Sequence, residues 1–133
     1  MDDTKQVYCT LRVDGENLYW TWTEASEHAS ESEMKKCFYE FVKLTVASKV
    51  KNIIIDERKL AFNYDPNFQD WVDQDIAPRV IATGVARFAV VKSSDFIVEL
   101  AAKQIFDEPS ASNFQIKFFD TPEDAQHWAN ASL

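Results

Sequence analysis

Glycine is scarce in this chain, which has only Gly15 and Gly84 among its 133 residues. A loop that cradles a phosphate group needs several glycines, because the backbone itself must approach the ligand closely. Two isolated glycines build neither a dinucleotide-binding fingerprint nor a P-loop. The sequence therefore excludes the common nucleotide-binding loops and predicts no cofactor.

Histidine is equally scarce, with two copies in the whole chain. His28 lies in a polar loop before the first predicted helix, and His127 lies in the last one beside Trp128. A zinc site needs further ligands converging on a histidine, and the spacing H-x-x-x-H does not occur. The nucleophile pattern G-x-S-x-G is missing as well. We predict surface or boundary histidines, no metal ion and no catalytic residues.

Cysteine and long apolar runs are also in short supply. Cys9 and Cys37 lie among apolar neighbours without any C-x-x-C pair, so we expect buried thiols rather than a redox or zinc site. No segment approaches about 18 apolar residues, the length that a membrane-spanning helix needs. The acidic start, MDDTKQ, leads into no apolar run and does not resemble a signal peptide. These absences predict a cytoplasmic protein without a transmembrane segment.

Acidic residues outnumber basic ones by 22 to 14, which leaves a net charge of −8. Nucleic acids are bound by clustered lysines and arginines, so this balance argues against a nucleic-acid partner. It argues equally against electrostatic docking on an anionic membrane. Apolar residues make up 46% of the chain, enough to fill the core of a single domain spanning residues 1–133.

Two alternating stretches open the chain and predict a β-hairpin. In VYCTLRV, residues 7–13, apolar side chains occupy every second position, and LYWTWT, residues 18–23, repeats the pattern. Asp14-Gly15 between them is a hairpin turn signal. Further strands are predicted at residues 52–55, 86–91 and 114–119.

Helix starts carry recognisable capping signals. Ser30 and Glu33 have the spacing of a capping box, and Asp65-Pro66 suits the first turn of a second helix that Pro78 should end or kink. Helices are predicted at residues 31–49 and 67–76, from a cap at Ser93 or Ser94 to about Phe106, and after Thr121-Pro122. In the third of these helices the residues expected to face inward are Ile97, Leu100, Ala101 and Ile105.

The resulting order, β-β-α-β-α-β-α-β-α, predicts an α/β layered sandwich. Its mixed sheet has about five strands, an antiparallel N-terminal hairpin followed by parallel strands joined by right-handed crossovers. The apolar run Ile53–Ile55 does not alternate, which is typical of a central strand covered on both faces. We expect it in the middle of the sheet.

Charged and hydroxyl residues follow three of the predicted strands: Asp56, Glu57 and Arg58, then Lys92 to Asp95, then Asp120-Thr121. Ligands of parallel sheets usually bind at such carboxyl ends. We prefer the structural interpretation, in which charges solvate the emerging chain and hydroxyl groups cap helices. Under the functional interpretation, Arg58 grips a carboxylate or phosphate with two hydrogen bonds, and Ser94 at a helix N-terminus holds the same anion.

Aromatic residues are concentrated in the hairpin and after the central strand. They include Trp20, Trp22, Phe62, Tyr64, Phe68 and Trp71. Such residues usually form the core, because they bury large areas. The alternative is an apolar ligand pocket roofed by helix 67–76, which is short, bounded by prolines and suited to act as a lid.

Four stretches of the chain carry a family resemblance: NLYWTW, KNIIIDERKLAFNYDPNFQDWV, GVARFAVVKSSDF and FFDTPEDAQHWA. Together they resemble the STAS-like group, also called SpoIIAA-like, which is related to the bacterial anti-sigma-factor antagonists. The resemblance implies a mixed sheet of four or five strands packed against helices. It also implies a non-enzymatic module that docks on a protein partner.

The resemblance does not carry over every property of that group. True antagonists are switched by phosphorylation of a serine in a D-S-S-G-like stretch after a central strand, whereas Asp56 is followed here by Glu57-Arg58-Lys59. Ser93-Ser94 follow a different strand and do not inherit that role. Related members of the wider fold are similar to lipid-transfer domains, which bind apolar ligands under a mobile helix.

Three functional hypotheses follow. The first is a binding or regulatory module that engages a protein partner, or a second copy of itself, through the sheet edge or helix 67–76. The second is a carrier of a small apolar ligand or lipid, with Arg58 as its anchor. The third is an enzyme that uses Asp56 or Glu57 as an acid or base.

Overall fold

The computed structural model describes residues 4–5 and 7–131, and most of the acidic stretch MDDTKQ lies outside that range. The described residues form one six-stranded sheet in which the strands lie side by side in chain order. The strands are β1 Thr4–Lys5, β2 Cys9–Asp14, β3 Asn17–Trp22, β4 Asn52–Asp56, β5 Arg87–Val91 and β6 Gln115–Phe119. The first three pair antiparallel, and β3 to β6 pair parallel. The predicted α/β fold with a mixed sheet is confirmed, and β1 adds a short strand at its edge.

The hairpin of β2 and β3 turns at Gly15, whose φ of 61° lies in the left-handed region that glycine adopts without strain. Its register pairs Leu11 with Trp20. Both side chains are buried on the same face of the sheet, while Arg12 and Tyr19 point to the other. The predicted alternation is therefore confirmed for this strand pair.

Helices cover the two faces of the sheet unequally. On the first face lie α1 Glu31–Ser48, α2 Pro66–Trp71, a π-helical turn Val72–Ile76, α3 Ala77–Ile81 and α4 Phe96–Ile105. Helix α5, Pro122–Asn130, packs on the second face against β4 and β5. Each crossover steps to the next strand in the same direction, so right-handed connections place all of them on one face.

The apolar run of β4 lies between these two layers, as expected. Ile53 and Ile55 pack into the large core on the first face, and Ile54 packs with Ala89 and Val91 beneath α5. All three isoleucines are buried. Since β4 is the fourth of six strands, the prediction of a central, doubly covered strand is confirmed.

Helix α2 begins where its capping signal predicts, because Asp65 accepts a hydrogen bond of 2.8 Å from the backbone N–H of Phe68. Pro78 does not end the helical segment, which continues to Ile81. The π turn just before Pro78 shifts the hydrogen-bond pattern, so that the N–H of Ala77 donates to the carbonyl of Val72. This local change accommodates a proline that would otherwise clash with a regular preceding turn.

Helix α4 differs from its prediction in two respects. Its cap is Asp95, whose carboxylate accepts from the N–H groups of Ile97 and Val98, so the prediction of a Ser93 or Ser94 cap is wrong. Its fully buried side chains are Val98 and Ala102. Ile97 and Leu100, predicted to face inward, are exposed, whereas Ala101 and Ile105 are partly buried against the core.

Polar contacts fix α5 on the second face. The amide of Asn52 donates to Asn17, and Asn17 donates to Asn130 at the end of α5, at 3.0 and 2.9 Å. The buried guanidinium of Arg87 donates to the carbonyl oxygens of Trp128 and Ala131, both at 2.8 Å. A cation at a helix C-terminus also complements the helix dipole.

No helix among the described residues is both long enough and apolar enough to cross a membrane.

Candidate functional site

An apolar cavity of about 70 Å³ lies between the sheet and the segment from α2 to α3. Trp20, Ile55 and Phe88 form its floor on the sheet. The π turn contributes Val72 and Ile76 to its roof. π turns inside helices often occur at functional sites, and this one lies above a cavity. The segment from α2 to α3 is therefore a candidate for ligand binding.

A second, smaller cavity of about 30 Å³ adjoins the first. The two share five lining residues, Trp20, Phe38, Ile55, Ile105 and Phe106. Trp22, Tyr64 and Glu57 line the smaller one only. Its wall is therefore aromatic and aliphatic, with the Glu57 carboxyl group as its one acidic member.

Glu57 reaches this cavity because β4 keeps its side-chain alternation beyond its last residue. The backbone N–H of Glu57 still donates to the carbonyl oxygen of Val91, at 2.9 Å. Residues 53, 55 and 57 consequently point to the same face, into the core. The prediction that the charges after β4 emerge at the rim is wrong for Glu57, which is only 4% exposed.

The environment of Glu57 favours its neutral form. Burial first, and then the nearby Glu99 and Asp56 carboxylates, together raise the pKa of this carboxyl from its ordinary value of 4.5 to about 8. Its Oε1 atom has no hydrogen-bond partner. A buried carboxyl with a raised pKa beside a cavity is a physical signature of a functional site.

Asp56 and Arg58 point away from both cavities. The Arg58 guanidinium donates to Asp56 through Nε at 3.0 Å and through Nη2 at 2.7 Å, in a bidentate ion pair. The pair lies beside α5, in an open groove of about 390 Å³ lined also by Thr10, Tyr19 and Gln126. Arg58 is thus already paired, and it lies on the opposite face of the sheet from the aromatic cavities that it was predicted to anchor.

The carboxyl ends of the strands do converge, as predicted. Arg58, Lys92, Ser94 and Asp120 line one shallow surface pocket, in which Lys92 and Asp120 form an ion pair of 2.9 Å. The hydroxyl group of Ser94 donates to the carbonyl oxygen of Arg58 at 2.9 Å. Ser94 therefore tethers a loop, and the N-terminal N–H groups of α4 are already bonded to the Asp95 carboxylate.

The aromatic residues predicted to bind a ligand occupy three different positions relative to the small cavity. Trp20, Trp22 and Tyr64 line the small cavity. Phe68 is buried behind them, with its ring stacked on Tyr64 at a centroid distance of 5.1 Å. Trp71 is on the outer side, with the ammonium of Lys35 at 5.0 Å from its ring centre.

An exposed apolar surface on α4 was not anticipated from the sequence. Phe96, Ile97 and Leu100 are 77%, 62% and 50% exposed and lie on adjacent turns. We call these three residues the α4 patch. The sequence does contain an indication of this surface. Helix α4 carries more large apolar residues than its inward face can bury, so some of them must be exposed.

The remaining chemistry of the described residues is sparse. His28 and His127 are both exposed, and Cys9 and Cys37 are both buried, as predicted. No group of three or more His, Cys, Asp or Glu side chains in this part of the chain is placed to hold a metal ion.

No family model, curated protein or solved structure matches this chain. Its membership of the STAS-like group therefore stays a prediction.

Proposed function

We propose that this chain is a non-enzymatic binding module of the STAS-like type that docks on a protein partner through the α4 patch. The observation that carries the proposal is the exposure of Phe96, Ile97 and Leu100 next to one another. Exposed apolar residues that form one contiguous surface mark interaction sites, whereas isolated ones do not. Helix 67–76 offers no comparable surface, because Phe68, Val72 and Ile76 are buried and Trp71 is partly buried.

Charge favours a different protein over a second copy of this chain. Two copies that each carry a net charge of −8 repel one another, whereas a partner with a basic rim around an apolar groove is attracted. The exposed carboxylate of Asp95 lies beside Phe96 and suits such a rim. The proposed partner is therefore a protein with a basic surface surrounding an apolar site.

We predict that Phe96→Asp combined with Leu100→Asp abolishes this docking without unfolding the chain. Both side chains are largely exposed, so the free energy of unfolding should change by no more than about 0.5 kcal/mol. Loss of two apolar anchors should weaken the Kd on the order of 100-fold. The measurement is capture from a lysate on immobilised protein, followed by reconstitution of the complex with the purified partner and a titration.

Val46→Asp is the matched control, because Val46 is 53% exposed on α1, away from the patch. It should bind like the unmodified chain. Equal binding by the patch variant would contradict the proposal. Light scattering measures whether the chain forms a dimer. If the unmodified chain and Val46→Asp form a dimer and the patch variant does not, the partner is a second copy of this chain and not a basic protein.

A second candidate function, a carrier of a small apolar ligand, is supported by the cavity beneath the π turn. At about 70 Å³ this cavity is smaller than the roughly 150 Å³ that accommodates benzene in an engineered protein. A lipid chain would therefore require the segment from α2 to α3 to move outward. The ligand that suits the observed geometry is a molecule of a few heavy atoms.

We predict that Val72→Ile combined with Val80→Ile fills this cavity. Two added methylene groups in existing space should stabilise the fold by about 1–1.5 kcal/mol and should prevent binding of xenon, a probe of empty apolar cavities. Xenon binding is measured from methyl chemical shifts in NMR spectra, and stability from urea unfolding.

Val85→Ile is the control, since Val85 is buried but lines neither cavity. An extra methylene there should overpack the core and cost about 1 kcal/mol or more. Xenon uptake that is equal in the cavity-filled variant and the unmodified chain would count against the carrier function.

A further inference from the structure

We propose that the two adjoining cavities form one site for a small alkylammonium ion, with the ammonium group at Glu57 and the alkyl chain in the apolar cavity. This inference rests on the second candidate function, the carrier of a small ligand, and names the chemical class of that ligand. It follows from the position of one carboxyl group, the composition of the walls and the charge around them.

The carboxyl group of Glu57 is the first observation. It is almost fully buried, it points into the smaller cavity, and its Oε1 atom has no hydrogen-bond partner. A buried polar atom without a partner destabilises the fold, so folding alone does not account for a glutamate here. A ligand with N–H donors supplies the missing hydrogen bond and a compensating charge.

The aromatic wall is the second observation. Trp20, Trp22, Phe38 and Tyr64 line the same small cavity as the carboxyl group, with ring centroids 5.0 Å apart for Trp20 and Trp22 and 6.1 Å apart for Phe38 and Tyr64. The faces of aromatic rings attract cations, most strongly where water is excluded. A carboxylate that shares a cavity with aromatic rings is the chemistry that recognises ammonium groups.

The apolar cavity explains why the ligand carries an alkyl chain. It continues from the smaller cavity past Trp20, Phe38 and Ile55, and apolar side chains predominate in its wall. Its volume of about 70 Å³ accommodates a chain of only a few carbon atoms. Methylammonium to propylammonium is therefore the size range that fits.

Surrounding charge favours a cation over an anion. No lysine or arginine lines either cavity, and the whole chain carries a net charge of −8. Glu99 on α4 and Asp56 on β4 both act electrostatically on Glu57. Tyr64, from the loop before α2, is the other titratable group at the small cavity, and burial raises its pKa well above 10, which keeps it neutral.

Binding of such a cation is coupled to proton release. At pH 7 most Glu57 carboxyl groups carry a proton, since burial raises their pKa to about 8. An ammonium ion favours the ionised form, so the proton leaves the carboxyl group for the buffer as the cation enters. The apparent affinity should rise about tenfold between pH 6 and pH 7 and level off above pH 8.

The test compares n-propylammonium chloride with n-propanol, a neutral probe of the same size, by isothermal titration calorimetry. Titrations at pH 7 in buffers of different ionisation enthalpy report the number of protons released. We expect a Kd for n-propylammonium on the order of 0.1–1 mM at pH 8 and nearly one proton released at pH 7. The Glu57→Gln variant should bind n-propylammonium at least tenfold more weakly and n-propanol equally well.

Failure of this inference is distinguishable from failure of the carrier function. If xenon or n-propanol binds but n-propylammonium binds no better and releases no proton, the apolar site stands and the ammonium assignment falls. If none of the three probes binds, both fall. An n-propylammonium affinity that is unchanged in Glu57→Gln places the cation elsewhere and overturns the inference.

Discussion

Replacement of Glu57 by glutamine should stabilise the protein at pH 8 by roughly 3–5 kcal/mol. In the unfolded chain this carboxyl ionises near its ordinary pKa of 4.5, whereas burial raises the pKa to about 8 in the folded state. Between these values the folded state holds a proton that the unfolded state has released. The contribution of Glu57 to the free energy of unfolding must therefore fall as the pH rises from about 4.5 to about 8.

Glutamine removes this pH dependence, because it is neutral at every pH and close to glutamate in shape. Urea unfolding at pH 5.5 and pH 8 measures the effect. Between these pH values the unmodified chain should lose about 3 kcal/mol more stability than Glu57→Gln. Glu27→Gln, an exposed replacement of the same kind, should follow the unmodified chain. Parallel losses in the unmodified chain and Glu57→Gln would show that Glu57 is not buried as described.

Replacement of Arg87 by leucine should destabilise the fold by about 3 kcal/mol. The change removes the guanidinium donor that contacts the carbonyl oxygens of Trp128 and Ala129 in the last turn of α5 and of Ala131, the residue after it. The Trp128 oxygen keeps a second donor, the backbone N–H of Ala131, whereas the Ala129 contact is buried over the sheet. A buried acceptor left without a partner costs about 1–3 kcal/mol, and hydrogen bonds to a charged donor contribute about 1.5–3 kcal/mol each. The loss should be concentrated in α5, because Arg87 joins that helix to β5.

Hydrogen exchange locates this loss along the chain. In Arg87→Leu the backbone amides of α5 should exchange far faster than in the unmodified chain. The amides of α1, on the other face of the sheet, should keep most of their protection against exchange. Arg79→Leu is the matched control, since Arg79 is an exposed arginine paired with Asp75 in a single helical turn. It should cost less than about 1 kcal/mol. Uniform loss of protection in Arg87→Leu would contradict a local capping role.

The sequence predicted the sheet well because its signals are local. The unbroken apolar run at Ile53–Ile55 has few structural solutions other than a strand covered on both faces, and that is its position. The capping box of Ser30 and Glu33 is equally local, and both of its hydrogen bonds form. In each case a few neighbouring residues determine the outcome.

Glu57 was misplaced because a charge after an apolar run usually marks the end of a strand. The alternation of Ile53 and Ile55 already indicated that residue 57 shares their face. What the sequence did not show is that pairing with Val91 extends far enough to hold Glu57 inside. That contact joins the residue after β4 to the last residue of β5, so only the tertiary structure reveals it.

Helix α4 was misassigned for a different reason. Apolar residues occur around most of its circumference, so several orientations fit the sequence pattern equally well. The observed one, with Val98 and Ala102 inward, follows from the cap at Asp95 and from packing into the core on the first face of the sheet. The exposed α4 patch is the consequence, and a periodicity argument could not have chosen it.

The burial of Glu57 beside the apolar cavities is tested by measuring the pKa of its carboxyl group. NMR titration of ¹³C-labelled glutamate side chains gives this pKa, and the Glu57→Gln variant assigns the signal. We expect the Glu57 carboxyl to titrate near pH 8 and its pKa to fall when n-propylammonium is added. A Glu57 carboxyl that titrates near 4.5 would contradict it, because a group with that pKa is solvated and does not line an apolar cavity.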